Sequence, residues 1–186
     1  MATIFVDIDG VLADFAAGAS PWLEEIIGKK DILPKSNAIA RQWDWLNGVV
    51  DKPAKVWNDF WRLVDKSVWE FWGLLPPLVR AKDVAILNKL AGHYTVMYVS
   101  ARGGSRTPAE TVLQTRQVTI EWLRGIGIQN PIVELIGTSI SFFPTKGEAA
   151  QELRPYVAVE DRPSNIEQLI QQGVDVIAPD YPYCRL

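Results

Sequence analysis

Short apolar runs alternate with amphipathic stretches along most of this chain, and the alternation predicts its elements. Ile4 to Val6 is a buried-strand run, followed at once by Asp7, Ile8, Asp9 and Gly10. Tyr94 to Val99, Ile132 to Ile136, Tyr156 to Val159 and Val174 to Ala178 repeat the pattern. Runs this short and this apolar suit parallel strands covered on both faces. Between them lie helical periodicities at Val84, Leu87 and Ala91, at Val118, Trp122 and Ile126, at Ala149 and Leu153, and at Ile166, Leu169 and Ile170. Thr107-Pro108-Ala109-Glu110 and Thr145-Lys146-Gly147-Glu148 read as capping boxes that open two of these helices. Ser164-Asn165-Ile166-Glu167 reads as a third, in competition with Pro163 as a first helical residue. Strands alternating with helices in this way predict an α/β fold, a doubly wound parallel sheet with right-handed crossovers.

The stretch between the first strand and Pro76-Pro77 breaks the alternation. Ser20-Pro21 predicts a helix start and Gly28 its stop. Val56, Phe60, Leu63 and Val64 form a helical stripe, with Trp57 and Trp61 beside it. All but one of the eight tryptophans fall between residues 22 and 72. Acidic and basic residues balance there. The organisation expected is a core of residues 1–15 and 76–186, with a small helical, Trp-rich cap inserted at 16–75 over the end of the first strand. Most of its aromatics are expected to form the insert's own core. One or two are expected to stack on a flat ligand, an interaction worth about 1–3 kcal/mol per base.

Composition narrows the partners. A chain of 186 residues has room for one domain with a real core. Its net charge of −3 gives no general attraction to polyanions or acidic membranes. The single cysteine, Cys184, excludes an internal disulfide and a cysteine-rich zinc site. No stretch reads as a leader or as the roughly 18 apolar residues of a membrane span, so a cytoplasmic protein is expected.

The chemistry concentrates where strands end, which is where open α/β sheets bind ligands. Asp7 and Asp9 start on the same face of an extended chain. Carboxylates that close repel unless a cation lies between them or one takes a proton. Glu160-Asp161 poses the same problem after the fourth strand. Mg²⁺, which prefers hard oxygen ligands, answers it in both places. Ser100 ends the second strand, and Lys146 opens a helix whose dipole disfavours a cation there, hinting at a nearby anion. An acid pair, a hydroxyl, a lysine and a second acid pair occur in the order a phosphoryl-transfer site needs. His93, the one histidine, is not expected in the chemistry.

Asp7-Ile8-Asp9-Gly10-Val11-Leu12-Ala13-Asp14-Phe15 resembles the first motif of the haloacid dehalogenase-like phosphohydrolases. Ser100, Lys146 and Glu160-Asp161 match the later motifs in order. The closest resemblance is to the 5'(3')-deoxyribonucleotidase branch. It implies a Rossmann-type core and a phosphatase, since dehalogenases lack the second aspartate. Carried over, it makes Asp7 the nucleophile and Asp9 the general acid and base. Ser100, Ala101, Arg102 and Lys146 become the phosphate-binding set. Mg²⁺ falls to Asp7, to Asp9 through its backbone carbonyl, and to Asp161, with Glu160 behind them or bound through water. Phe15, Phe71 and Trp72 become the substrate pocket. Where that branch has Thr-Ser and Asp-Asp, this chain has Ser100-Ala101 and Glu160-Asp161. The substrate implied is a small phosphomonoester, a nucleoside monophosphate. Arg102-Gly103-Gly104, Arg116 and Thr119 to Leu123 also resemble the phosphatase part of polynucleotide kinase-phosphatases. A polynucleotide 3'-end is therefore the alternative substrate, and another small phosphomonoester a third.

Overall fold

The structure is a computed structural model that describes residues 1–184. Residues 185 and 186, the end of the core segment expected from the sequence, lie outside the described residues. Five strands form one parallel sheet: β1 (Thr3–Val6), β2 (Thr95–Ser100), β3 (Ile132–Leu135), β4 (Val157–Val159) and β5 (Asp175–Ile177), in the order β3-β2-β1-β4-β5. Among the described residues, seven α-helices accompany them: α1 (Phe15–Ile27), α2 (Pro53–Lys66), α3 (Val68–Trp72), α4 (Ala81–Ala91), α5 (Ala109–Gly125), α6 (Lys146–Leu153) and α7 (Pro163–Gln171). The doubly wound α/β architecture is the one the alternating runs predict.

Strand side chains alternate between two apolar layers, as a period of two requires. Ile4 and Val6 face a large cluster with Val96, Tyr98, Val133 and Leu135. Phe5 faces the other side with Val99, Ala158, Ala149 of α6 and Leu169 of α7. The large cluster runs without a break from the sheet into Leu23, Phe60, Val64, Phe71 and Trp72. Phe60, Phe71 and Trp72 of residues 16–75 thus share one core with the sheet layer, while Trp61 and Trp69 stay exposed.

Three local expectations give way. The first helix starts at Phe15, capped by Asp14, whose Oδ1 accepts from the Ala17 N–H, so Pro21 lies inside it. Proline there forfeits its own donated bond and crowds the Ala17 carbonyl one turn back, a cost the Asp14 cap and left-handed Gly28 at the two ends offset. Ser20 is buried and donates to the Pro34 carbonyl instead. Thr107 does not cap α5; its hydroxyl accepts from the Gly104 N–H, closing the turn before the helix. Pro163, not Ser164, opens α7. Thr145 caps α6 through the Glu148 N–H as expected.

The chain leaves and rejoins the sheet region at one place. Asp14 N–H donates to the Pro76 carbonyl and Leu78 N–H to the Leu12 carbonyl, each at 2.7 Å. Among the described residues, no helix is long and apolar enough to cross a membrane.

Candidate active site

Parallel strands put all their C-terminal ends on one edge, and the order reverses beside β1, leaving a crevice there. Asp7 follows β1, Ser100 ends β2, and Glu160 and Asp161 follow β4. A bond from the Asp7 N–H to the Val159 carbonyl (2.9 Å) locks the two acid-bearing ends together. Lys146, first residue of α6, reaches in between them. Its Nζ donates to Asp7 Oδ1 at 2.6 Å and to Glu160 Oε2 at 2.5 Å, and all three side chains are buried. Glu160 also accepts from the Arg162 N–H and from Asn165 Nδ2 through its other oxygen.

Asp161 has no exposure at all. Its Oδ2 accepts from the Tyr183 hydroxyl (2.7 Å), whereas its Oδ1 is the one buried side-chain oxygen or nitrogen without a hydrogen-bond partner among the described residues. Gly10 makes room for this carboxylate. It has φ 89°, and a Cβ there would fall 1.7 Å from Asp161 Oδ2.

Oxygens of Asp7, Glu160 and Asp161 lie within 4.8 Å of one another. Three carboxylates against one ammonium leave the group short of positive charge. Burial, then the Glu160 charge, pushes Asp7 well above the usual carboxylate range despite Lys146. Burial and Glu160 likewise push Asp161 up to about 7, against the pull of Tyr183 and Lys146. Burial pulls Lys146 down, but Asp7 and Glu160 outweigh it and hold the ammonium above its ordinary value. A hard divalent cation fits this set. The donors are all oxygen, one of them is orphaned, and a cation relieves the repulsion that raises both acids.

Asp9 sits apart from that trio. Arg102, 1 % exposed, grips both its oxygens: Nε donates at 3.2 and 2.9 Å and Nη2 at 2.7 Å, while Ser100 Oγ adds a bond of 2.9 Å. Arg102 Nη1 donates to Thr119 of α5, and the guanidinium lies 4.6 Å from the centre of the Trp72 ring. Of the residues expected to bind phosphate, Lys146 therefore faces Asp7, whereas Ser100 and Arg102 face Asp9. Ala101 is exposed at the rim, where its side chain offers no polar group.

A cavity of about 130 Å³ opens over these groups, walled by Phe15, Trp43, Trp61, Trp72, Arg162 and Asn165. Phe71, grouped with the pocket residues in the sequence, lies behind this wall, packed edge-on against Phe15, Trp22 and Phe60. Trp61 and Trp72 also border a neighbouring cavity of about 480 Å³ that carries Arg62, Arg106 and Asp65. Phe15, Trp43 and Trp61 border another, of about 270 Å³. Sequence reasoning missed Trp43, Trp61, Asn165, Thr119 and Tyr183 as individuals. Tyr183 shared its proline- and tyrosine-rich stretch with Cys184, and nothing local marked it.

No family model matches the chain, and no curated protein matches it. Solved structures do. A haloacid dehalogenase (HAD) family hydrolase from Deinococcus radiodurans R1, with bound phosphate and sodium, matches at 14% identity and TM-score 0.52, covering 100% of this chain and 85% of that one. A HAD-superfamily hydrolase of subfamily IA from Geobacter sulfurreducens PCA matches at 17% identity and TM-score 0.53, over 98% and 90% of the two chains. A hydrolase from Pseudomonas syringae matches at 12% and 0.55, over 96% and 84%.

Proposed function

The chain shares the fold of the haloacid dehalogenase-type hydrolases, and from that premise we propose that it is a Mg²⁺-dependent phosphomonoesterase acting on nucleoside monophosphates, through a phosphoryl-aspartate at Asp7. The observation that carries this reading is the meeting of Asp7, Lys146, Glu160 and Asp161, one of whose oxygens is unpaired, at a single buried point.

A carboxylate oxygen of Asp7 attacks phosphorus, and the bond to the leaving oxygen breaks. Asp9 gives that oxygen a proton and then takes one from the water that frees phosphate and regenerates Asp7. For this work Asp9 must turn from Arg102, since every oxygen it has is engaged there. Lys146 holds its positive charge at any working pH and faces the phosphoryl oxygens as they gain negative charge, the contribution that dominates such sites. Asp7, Glu160 and Asp161 would hold Mg²⁺, which supplies charge neutralisation for the phosphoryl group. The cavity above Asp7 is smaller than the ~300–1,000 Å³ typical of pockets that enclose organic ligands. The leaving group must therefore extend past Trp61 and Trp72 into an adjoining space, where a flat base finds aromatic walls.

Hydrolysis of a nucleotide panel with and without EDTA, beside Asp7→Asn, tests the proposal. Phosphate release that needs metal and disappears in the variant is expected; turnover in EDTA, or an active variant, overturns it. A second reading, a polynucleotide 3'-end, is favoured by Arg62 and Arg106 in the larger adjoining cavity. It requires activity that falls steeply with salt, because phosphate contacts release counterions. A mononucleotide does not.

A further inference from the structure

The last described turn of the chain, Pro182–Cys184, returns to the sheet edge and places Tyr183 against Asp161. Tyr183 is buried. Its ring meets Trp43 edge-on at 5.7 Å, and its neighbour Cys184 donates through Sγ to the Asp161 carbonyl at 3.1 Å. The hydroxyl has one proton to give. Asn37 Nδ2 donates to the Tyr183 oxygen at 3.2 Å, so the proton is left for Asp161 Oδ2.

The Asn37 amide cannot be reversed. Its Oδ1 accepts at 2.7 Å from the backbone N–H of Ala16, a group that only donates. A backbone donor at the start of α1 thus fixes the amide, the amide fixes the hydroxyl, and the hydroxyl pins Oδ2. Rotation of the carboxylate would exchange its two oxygens. With Oδ2 pinned, Oδ1 is the oxygen left without a partner in the carboxylate cluster that Asp161 forms with Asp7 and Glu160.

Resting on the reading of this cluster as a divalent-cation site, we propose that Tyr183, oriented by Asn37, is a positioning residue that holds Asp161 with its free oxygen turned to the cation. Tyr183 touches neither the cation nor the substrate. It acts through Asp161 alone and makes the cation's affinity depend on a contact between the C-terminal turn and the segment after α1. Partners of this kind, one bond removed from a metal ligand, typically change metal affinity by about 10–100-fold when lost.

The test is Mn²⁺ affinity of the purified, phosphate-free chain, read by electron paramagnetic resonance or calorimetry without any substrate. Tyr183→Phe keeps the ring against Trp43 and removes only the hydroxyl. We expect at least 10-fold weaker Mn²⁺ binding, with the metal-free melting temperature lowered by no more than about 4 °C. Asn37→Ala, which leaves Tyr183 intact but frees its hydroxyl to rotate, should weaken Mn²⁺ in the same direction and serves if the first variant does not fold. A folded Tyr183→Phe variant that binds Mn²⁺ within twofold of the native chain overturns the role of Tyr183 and leaves the cation site standing. A native chain that takes up no Mn²⁺ overturns the cation reading and this inference with it.

Discussion

Gly10 is the residue whose replacement the site can least absorb. Its positive φ and the Asp161 carboxylate both forbid a side chain there. Gly10→Ala is expected to displace Asp161 and to cost at least 100-fold in the proposed phosphatase activity and in Mn²⁺ affinity, measured by turnover and by metal titration. Lys146→Ala should act differently. It leaves Asp7 and Glu160 facing each other without their shared cation, so we expect a loss of about 3–5 kcal/mol of stability in metal-free protein, read by denaturant titration, as well as lost turnover. At this scale the sequence showed positions but not pairings. The strand-end acids, Ser100 and Lys146 could be placed on one edge because each ends or opens an element. That Arg102 would grip Asp9, 93 positions away, and rest on Thr119 and Trp72 could not, because its local signal was only a Gly-Gly loop.

The elements were more legible than their ends. All five strands and the α/β order follow from short apolar runs, since a parallel strand buried on both faces leaves little latitude in composition. Helix starts were misread where a side chain is used across space. Asp14 illustrates this. It caps α1 at the Ala17 N–H, accepts from the Asn37 N–H at 2.8 Å, and accepts from the Ser36 hydroxyl. Three donors, two of them in a segment more than twenty residues away, turn a local cap into the clamp that docks that segment. Asp14→Ala should therefore cost more than the typical ~1 kcal/mol of a lost N-cap, about 2–4 kcal/mol by denaturant unfolding. Because the same segment carries Asn37, this variant should also weaken Mn²⁺ binding.

Over the whole molecule, the buried acids set how stability answers pH. Asp161, raised to about 7, and Asp7, raised with it, bind protons more tightly folded than unfolded. Unfolding between pH 4 and 7 releases protons, so metal-free stability falls as pH rises through that window. Glu24 runs the other way. Burial raises it, but the Leu33 N–H and Lys35 outweigh burial and bring it to about 2, so its contribution is lost only below about pH 4. Metal-free protein should thus melt higher at pH 5.5 than at pH 8, by about 2 kcal/mol or ~4–8 °C in a calorimetric scan. Mg²⁺ should reverse the order, because it competes with these protons and binds best once both acids are ionised.

The stitches from Asp14 to Pro76 and from Leu78 to Leu12 mean that some sixty residues depart from and come home to adjoining points. Lengthening such an excursion at its solvent-facing tip, near Gly48 and Asp51, adds little loop-closure entropy and disturbs no strand register. Deleting it is another matter, because Phe60, Phe71 and Trp72 belong to the same core as the sheet. Evolution, or an engineer, is free to embroider this flap of chain but not to cut it away.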